Sequence, residues 1–387
     1  MSVAFAANTM STEDRQEIEL LRDSAARFTA QHSSGSRLRS RRDRGIEFDR
    51  KVWQSMADAG FLATAIPEEF SGLALSFDHR ATLAEEFGRG LLPEPYITSA
   101  IFAASIIAAS DNPELQRRLL PGMATGELVA AVAWEERADS VVGGSLATVA
   151  TKTSRGIVLR GQKRFIRPGS MIDGIIVSAA GGGHLGLYWV PVGTTGLKFT
   201  TQHLADGGTS ADVVLNDVRI TPDAIVQTPS DGASVLAAAI DEAMVMAAAE
   251  LLGVLRKSLE ITLDYLRIRQ QFGKPIGSFQ ALQHRAVNLY IQQELSEVSI
   301  KEALGALRTE SRPWSRSLAA SRAKARSSDA AMLVTREAVQ MHGAIGFTDN
   351  HDIGLYLKRA LVQSAWLGNA AQQRRRYAAV LKEQGNH

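Results

Sequence analysis

The spacing of apolar residues changes twice along the chain. In the first third, apolar positions such as Ile18, Leu21 and Ala25 recur with the period of a helix. The pattern then becomes short alternating runs separated by turn residues, which is typical of strands. The helical period returns later and continues to the end of the chain. Three domains are predicted: an N-terminal α-helical domain at 1–127, a central β-domain at 128–231 and a C-terminal helical bundle at 232–387.

Individual elements can be predicted within these domains. Ser11, followed by Thr12-Glu13-Asp14, is expected to cap the first helix. The β-domain is expected to be small and antiparallel. The bundle is expected to contain four long helices with short connections, at 235–266, 278–309, 314–342 and 354–383. The fold class is therefore α+β and multidomain.

A glycine-rich stretch at 181–186, GGGHLG, formally satisfies the dinucleotide fingerprint G-x-G-x-x-G. That fingerprint requires a helix after the glycines, because the helix N-terminus binds the pyrophosphate. The segment that follows reads as a strand ending at Pro191. We therefore predict a hairpin turn at this stretch and no Rossmann site.

Composition narrows the possible functions. Hydrophobic residues make up 45% of the 387 positions and charged residues 22%, which is ordinary for a folded globular protein. The net charge of +2 gives no reason to expect binding to nucleic acid or to a membrane surface. The basic run at 37–44 is interpreted as a solvated surface or as a docking patch for CoA or a partner.

The absence of cysteine excludes disulfides, thiol nucleophiles and cysteine-ligated metals. The eight histidines show no metal-ligand spacing, so no metal is expected. No apolar stretch approaches the roughly 20 residues that span a bilayer, and the first residues lack a secretion leader. We expect a cytoplasmic location and no membrane partner.

The candidate chemistry begins at the segment 266–286, between two predicted helices. Arg267 and Arg269 precede Phe272-Gly273, so a helix end presents cations and an aromatic face at a turn. Guanidinium groups suit phosphate oxygens, and glycine allows close backbone approach. An ordinary helix terminus, in which arginine complements the helix dipole, is the alternative interpretation.

Two motifs give these residues a family context. The letters Arg269, Phe272, Gly273, Ile276, Phe279 and Gln280 match R-x-x-F-G-x-x-I-x-x-F-Q, and QMHGAIGF at 340–347 is similar to Q-x-x-G-G-x-G-F/Y. In this order the motifs resemble those of the acyl-CoA dehydrogenase family. The resemblance implies FAD as cofactor, an acyl-CoA substrate oxidised to the trans-2-enoyl-CoA, and an electron acceptor such as an electron-transfer flavoprotein.

The resemblance also implies an architecture and a set of flavin contacts. The expected architecture is an N-terminal helical domain, a central antiparallel β-domain and a C-terminal four-helix bundle, assembled with a homologous subunit into a homo- or hetero-oligomer. The implied flavin-contact residues are Arg269, Phe272 and Gln280 in the bundle and Phe165 in the β-domain. Gln340 and Gly343 are expected to contact the flavin across the subunit interface.

Two segments that cover the flavin in the family are altered here. AWEE at 133–136 stands in place of a T-E-P segment, and RADS at 137–140 replaces the usual glycine-rich continuation. GQKRFIR at 161–167 stands where G-x-K-x-W-I-T/S is expected, so Phe165 keeps an aromatic ring but Arg167 replaces a hydroxyl residue that hydrogen-bonds the flavin in relatives. Either the flavin is held differently, or this chain's own site is degenerate.

The position of the catalytic base is also altered. Leu367 stands where many relatives have the glutamate of Y-E-G-T, and Ala243 occupies the alternative position on the first bundle helix. Glu242 is our leading candidate for the base, with Asp241 beside it and Glu250 two turns later as weaker ones. Asp241 and Glu242 could instead cap the helix or form salt bridges.

Three functions are compatible with these features. The leading hypothesis is an FAD-dependent dehydrogenase forming one subunit of a heteromeric enzyme, similar to the small-subunit type of bacterial members such as pimeloyl-CoA dehydrogenase. In such enzymes one polypeptide lacks part of the flavin site or the base, and Arg167, Ala344 and Leu367 fit that subunit. The alternatives are a flavin-dependent oxidase or monooxygenase on the same fold, and a non-catalytic partner that completes another chain's site.

Overall fold

A computed structural model describes residues 11–138, 146–228, 231–309 and 312–385. The predicted segment RADS at 137–140 therefore lies partly outside the described residues. The N-terminal third is helical, as predicted, and its first helix begins with a capping box in which Ser11 and Asp14 exchange side-chain to backbone hydrogen bonds of 2.9 and 3.2 Å. Its helices are α1 Thr12–His32, α2 Gly35–Asp43, α3 Arg50–Asp58, α4 Phe77–Arg89, a π-helix Tyr96–Ala103, α5 Ala104–Ala108 and α6 Pro113–Ala124, with short 3-10 turns at Phe61–Ala63 and Glu68–Phe70.

The central third forms one sheet. Its strands are β1 Ala130–Ala133, β2 Val149–Thr153, β3 Gly156–Ile166, β4 Gly174–Gly181, β5 His184–Pro191, β6 Leu197–His203, β7 Thr209–Ile220 and β8 Ile225–Gln227, with a 3-10 turn at Pro222–Ala224 before β8. The strand order is β6-β7-β3-β2-β4-β5-β8, and β1 also pairs with β4. The predicted hairpin is confirmed: Gly181 pairs with His184 across a turn in which Gly182 and Gly183 have φ of +62° and +87°.

The sheet is mixed, which corrects the expectation of a purely antiparallel domain. β4 runs parallel to β1, where Ala130 pairs with Gly174, and parallel to β2, where Val149 pairs with Ala180. Hairpins along the sequence suggested antiparallel pairing throughout. The parallel pairs join strands that are distant along the chain. The alternation of apolar and polar residues within one strand does not show which distant strand it pairs with.

The C-terminal third is helical, as predicted, but its last helix is interrupted. The elements are α7 Gly232–Ile268, a two-stranded ribbon of β9 Gln270–Gln271 and β10 Lys274–Pro275, a 3-10 turn Ile276–Ser278, α8 Gln280–Thr309, α9 Pro313–His342, a 3-10 turn Gly343–Phe347, α10 Ile353–Ala365 and α11 Ala370–Gly385. Instead of one helix at 354–383, α10 and α11 are separated by a turn in which Leu367 and Gly368 have positive φ.

A buried lysine stabilises this turn. The ammonium group of Lys324 on α9 donates to the carbonyl oxygens of Ser364 and Gly368, at 3.0 and 3.3 Å, and to the hydroxyl of Ser328. These bonds satisfy carbonyl groups that a helix end leaves without partners. The sequence pattern missed the break because its apolar period continues across the turn, whereas the stabilising lysine comes from another helix.

Helix α7 passes through the centre of the molecule. It packs on α9, α4 and α10, and its middle third, including Ala243 and Glu250, is buried on all sides. A helix that is buried all round is expected to be apolar. The carboxylates of α7 therefore require partners from the surrounding helices.

The basic run at 37–44 connects elements rather than lying free in solvent. Arg42 makes two hydrogen bonds of 2.8 Å with the carboxylate of Asp349, and Arg39 makes one of 2.7 Å with Asp352. Arg41 points inward and is 5% exposed. The expectation of a solvated surface is therefore wrong for Arg41, which is buried, whereas Arg39 and Arg42 lie half-buried in ion pairs with residues more than 300 positions away along the chain.

Candidate functional site

A cleft, which we call the inner cleft, opens where α4, the β3–β4 connection, α7 and α10 meet. One wall is mainly apolar and comes from α4 and the segment that follows it; its apolar residues are Ala84, Phe87, Leu92, Pro93, Pro95 and Ile97, and the same segment adds Glu94, Tyr96 and Thr98 to the lining. The opposite side is polar and charged; its residues are Arg41, Glu47, Arg167, Glu250, Arg359 and Gln363. The cleft combines an apolar surface with convergent charged groups, as small-molecule sites do.

Most charges of the polar side neutralise one another. The guanidinium of Arg359 on α10 donates to Glu250 at 2.6 Å and to Asp206 at 2.9 Å. The second carboxylate oxygen of Glu250 accepts a 2.7 Å bond from the amide of Gln363. Burial alone would raise the pKa of Asp206, but the charges of Arg359 and Arg167 hold that pKa below its usual value. Glu250 and Asp206 are therefore structural partners of Arg359.

Arg167 follows β3 and extends across the cleft. Its guanidinium donates to the amide oxygen of Gln363 at 3.3 Å and lies over the ring of Trp366, 5.5 Å from the centroid. Burial lowers the pKa of Arg167 from its usual value. Among the residues that the structure describes, no carboxylate lies within 4 Å of this guanidinium.

Among the acids that line the cleft, Glu47 has the pKa that is shifted most from its ordinary value. Its carboxylate accepts hydrogen bonds from the backbone N–H of Thr209 at 3.0 Å and from the hydroxyl of Ser170 at 3.3 Å. Burial raises the pKa of Glu47 to about 7, although nearby Arg167 and Arg41 act in the opposite direction. Arg41 itself donates to four backbone carbonyl oxygens around Glu47 and the β6–β7 turn.

The three predicted base candidates lie in different environments. Glu242 faces α4 and α5, where its carboxylate is bound by Arg80 at 2.5 Å and by the hydroxyl of Ser105 at 2.8 Å. Asp241 faces α9 and α11 and is bound by Arg376 at 2.6 Å. Only Glu250 lines the inner cleft. The structure therefore separates the candidates, and each carboxylate already has a cationic partner.

The two altered β-domain segments are joined by a buried lysine. The ammonium of Lys163 on β3 donates to the carboxylate of Glu136 at 2.8 Å, to the hydroxyl of Ser178 at 3.0 Å and to the carbonyl oxygen of Trp134 at 3.4 Å. Glu136 also accepts the backbone N–H groups of residues 147 and 148. Phe165 is half-buried, with the guanidinium of Arg164 over its ring.

The remaining predicted flavin contacts lie on the outside of the bundle. We call this group the outer surface; it consists of Arg269, Phe272, Gln280, Gln340 and Gly343, all exposed. Phe272 is 91% exposed. A Cβ atom added at Gly343, whose φ is +66°, would meet no atom within 4 Å. Tyr265 and His342 stack with centroids 4.5 Å apart, which brings the ends of α7 and α9 together at this surface.

The inner cleft and the outer surface fit a flavin differently. The outer surface offers uncovered cations, amides and an aromatic ring around a glycine turn, which suits an anionic dinucleotide presented from outside. The inner cleft does not fit in the manner expected from relatives, because the guanidinium of Arg167 takes the place of the hydroxyl and extends to Gln363 and Trp366.

Sequence reasoning missed several residues of the cleft. Glu47, Asp206 and Arg359 had not been singled out, and they come from the loop before α3, the β6–β7 turn and α10. The only signal for Arg359 was its charge on an otherwise apolar face of α10. A partner for that charge could not be identified, since Glu250 lies 109 positions away along the chain.

Two further observations limit the possible sites. Within the described ranges, no helix is long and apolar enough to cross a membrane. The same residues contain no group of three or more histidine, aspartate or glutamate side chains that could hold a metal ion.

Comparison with known proteins agrees with a fold that has a helical domain at each end of the chain. The family models for the N-terminal and C-terminal domains of acyl-CoA dehydrogenases match residues 15–127 and 230–382. Acyl-CoA dehydrogenase IpdE2 of Mycolicibacterium smegmatis is 27% identical over 94% of this chain and 98% of its own length.

Solved structures give the same result. A variant of the steroid acyl-CoA dehydrogenase Tcur3481-Tcur3483 is 28% identical with a TM-score of 0.85, over 96% of this chain and 99% of that one. The ChsE4-ChsE5 complex of Mycobacterium tuberculosis is 25% identical with a TM-score of 0.86, over 97% and 98%. Matches to both terminal domains and along nearly the whole length show that this chain belongs to the acyl-CoA dehydrogenase family of FAD-dependent oxidoreductases.

Proposed function

We propose that this chain is one subunit of a heteromeric acyl-CoA dehydrogenase that converts an acyl-CoA to the trans-2-enoyl-CoA. In this proposal the chain supplies its outer surface to an FAD molecule whose flavin ring lies in a homologous partner chain. The partner also supplies the base that removes the α-proton. When bound, FAD would supply the hydride acceptor for this oxidation, with an electron-transfer flavoprotein as the kind of electron acceptor expected.

The observation that supports this proposal is the contrast between the two halves of the flavin site. On the outer surface, the side chains of Arg269, Phe272 and Gln340 are exposed and directed outward, so they are available to a ligand of a neighbouring chain. In the inner cleft, Arg167 extends across the space to Gln363. A ring bound there would have to displace a guanidinium from a partly buried hydrogen bond and from the face of Trp366.

The environment of the carboxylates supports the same assignment. A base must be able to approach the α-carbon and to accept its proton. Glu242 is bound by Arg80 and Ser105 away from the cleft, and Glu250 is bound by Arg359 and Gln363 within it. The two positions that carry the glutamate in relatives are Ala243 and Leu367, both buried and apolar. We therefore propose structural roles for Asp241, Glu242 and Glu250.

Two of the similar structures are described by pairs of names. One is the ChsE4-ChsE5 complex, and the other is a steroid acyl-CoA dehydrogenase designated Tcur3481-Tcur3483. Their similarity to this chain makes a two-chain assembly a reasonable expectation here. It does not select an acyl group for this protein.

The test is flavin content with and without the partner. We expect the chain purified alone to lack flavin absorbance, and the complex co-purified with a homologous chain to contain one FAD per pair of chains. One FAD per chain in the lone protein, bleached by an acyl-CoA, would overturn the proposal. Turnover of the complex with an artificial electron acceptor supports a dehydrogenase, whereas oxygen consumption would favour an oxidase.

Variants of the two halves sharpen the test. In the co-purified complex, Arg269→Gln or Phe272→Ala should weaken FAD retention about threefold to tenfold, as expected for the loss of one ionic or aromatic contact. Arg164→Gln, which changes a β-domain arginine that lies outside both the outer surface and the inner cleft, serves as the matched control and should leave FAD retention unchanged. An equal loss in the control variant would contradict the assignment of the two halves.

A further inference from the structure

The inner cleft contains one guanidinium group that is bound by a single hydrogen-bond acceptor. Of its three guanidinium groups, Arg359 is held between two carboxylates, and Arg41 is bound by four backbone carbonyls. Among the residues that the structure describes, the only hydrogen-bond acceptor of Arg167 is the neutral amide oxygen of Gln363. A guanidinium has five N–H donors, so most of those on Arg167 remain available.

Those donors face the cleft. The N–H groups of Arg167 that have no hydrogen-bond partner are not fully buried, so solvent reaches them through the cleft. A guanidinium in a partly dehydrated site is destabilised unless an anion accompanies it. The carboxylates of Asp206, Glu250 and Glu47 stabilise the charge of Arg167 from a distance. They leave its N–H groups unbound, because Asp206 and Glu250 bind Arg359 and because Glu47 accepts from Thr209 and Ser170.

The surroundings of Arg167 determine the kind of anion that fits. Across the cleft lies the apolar wall of Phe87, Leu92, Pro93 and Ile97. Phosphate and sulfate would bring their hydration shells against this wall. A carboxylate on a short aliphatic chain places its charge on the guanidinium and its methylene groups against the wall, and it matches the planar fork of arginine.

We propose that the inner cleft is a binding site for a carboxylate on a short aliphatic chain, with Arg167 as its anchor. The proposal rests on the proposed function in one respect, namely that no flavin ring takes the cleft of this chain. The carboxylate can belong to a free acid or to the far end of an acyl-CoA, and both present the same chemistry to Arg167.

Glu47 should link binding to pH. The groups that face Glu47 are the cations Arg41 and Arg167, the acid Asp206, the hydroxyl of Ser170 and the backbone N–H of Thr209. The cleft is also lined by the acids Glu94 and Glu250 and by the cation Arg359. A bound carboxylate repels an ionised Glu47 and favours its protonated form. Binding should therefore weaken as the pH rises through the pKa of Glu47, about 7.

Calorimetric titration of the full chain with butanoate tests the site. We expect saturable binding that is tighter at about pH 6 than at about pH 8, on either side of the pKa of Glu47, which is about 7. Arg167→Gln should weaken binding about tenfold to a hundredfold, the usual effect of losing a charge-assisted hydrogen bond. Arg164→Gln, whose cation pairs with Asp212 outside the cleft, is the control and should bind as the wild type does.

A second variant keeps the test decisive if Arg167→Gln folds poorly. Glu47→Gln retains the anchor and removes the titrating group, so its butanoate affinity should no longer depend on pH. Absence of saturable butanoate binding at about pH 6 would overturn the proposal, as would unchanged affinity in a folded Arg167→Gln variant. Flavin content is read separately by absorbance, so a failure of this site is distinguishable from a failure of the proposed function.

The two sources of the carboxylate are separated with matched thioesters. Glutaryl-CoA and pentanoyl-CoA have acyl chains of equal length that end in a carboxylate and a methyl group. If the ligand is an acyl-CoA tail, glutaryl-CoA should bind at least about tenfold more tightly, and Arg167→Gln should abolish that preference. If the ligand is a free acid, butanoate should bind while the two thioesters do not differ.

Discussion

The outer surface and the inner cleft both contain arginine, but the two regions differ in what the arginine side chains bind. On the outer surface, Arg269 and Phe272 make few contacts with their own chain, and Phe272 is 91% exposed. In the inner cleft, Arg359 is held by two carboxylates of the same chain. Exposed side chains that make few contacts within their own chain are available to bind another molecule. Charged side chains that form ion pairs with each other mainly stabilise the fold.

This difference shows why a match to a motif has to be examined on each side of a site separately. The family letters are retained where the chain faces outward and are altered where it faces its own cleft. Arg167 marks the boundary, because it lies in a flavin-contact position of the family and yet bonds to Gln363 of its own chain. The following predictions test the contrast, beginning with the largest expected effect.

The strongest test concerns the central cation of the cleft. Arg359→Met leaves Asp206 and Glu250 buried without their partner, and each of these side chains is 6% exposed. Losing one member of a buried ion pair typically costs about 3–5 kcal/mol, so the free energy of unfolding in urea should fall by that amount. Arg374→Met removes a pair with the exposed Asp329 and should cost less than about 1 kcal/mol. Equal small losses would mean that the cleft charges are solvated.

The second test uses the proton affinity of Glu47. Its pKa rises from 4.5 in the unfolded chain to about 7 in the folded one, so the folded state holds the proton more tightly. This contribution is complete below about pH 4.5 and is lost as the pH rises through about 7, amounting to at most about 3 kcal/mol. Glu47→Gln lacks it, so the stability difference between variant and wild type should change over this range. Parallel stability curves in thermal melts would contradict the assigned environment of Glu47.

The third test distinguishes a structural from a catalytic role for Glu242. Glu242→Gln keeps a partner for Ser105 but leaves Arg80 without its carboxylate, which should lower the free energy of unfolding by about 1–3 kcal/mol. Turnover of the co-purified complex should persist, since the proposed base lies in the partner. A folded variant without turnover would instead support Glu242 as the base.

The smallest effect on stability is expected at the outer surface. Phe272→Ala removes a ring that is 91% exposed, so the free energy of unfolding should change by less than about 0.5 kcal/mol. Leu20→Ala on α1, where the side chain is 69% exposed, is the matched control and should change neither stability nor FAD retention. A large loss of stability in Phe272→Ala would show that this surface supports the fold as well.

The sequence predicted the larger elements of the fold well and their irregularities poorly. The capping box at Ser11, the hairpin at Gly182-Gly183 and the long bundle helices follow from local residue patterns, and the structure contains them. The π-helix Tyr96–Ala103, the break at Leu367 and the parallel pairing of β4 were missed. The break and the parallel pairing depend on contacts between segments distant along the chain.

The candidate site divides in the same way. The cofactor class and the outer residues Arg269, Phe272 and Gln340 could be named from the sequence, because two short motifs carry them. The partners of Glu242 and Glu250 could not be named, since Arg80 and Arg359 lie 162 and 109 positions away. The sequence therefore left three acids as candidate bases, whereas the structure places each of them beside a different cation.

The sequence by itself determined the succession of helical and strand segments and the family motifs of the outer surface, because both depend on residues close together along the chain. Only the tertiary structure decided how the inner cleft is occupied, because burial forces every charge to find a partner from any segment that folding brings near. That requirement pairs Arg359 with Glu250 and Asp206, whereas Arg167 is bound by only one acceptor, the amide oxygen of Gln363, among the described residues of the cleft.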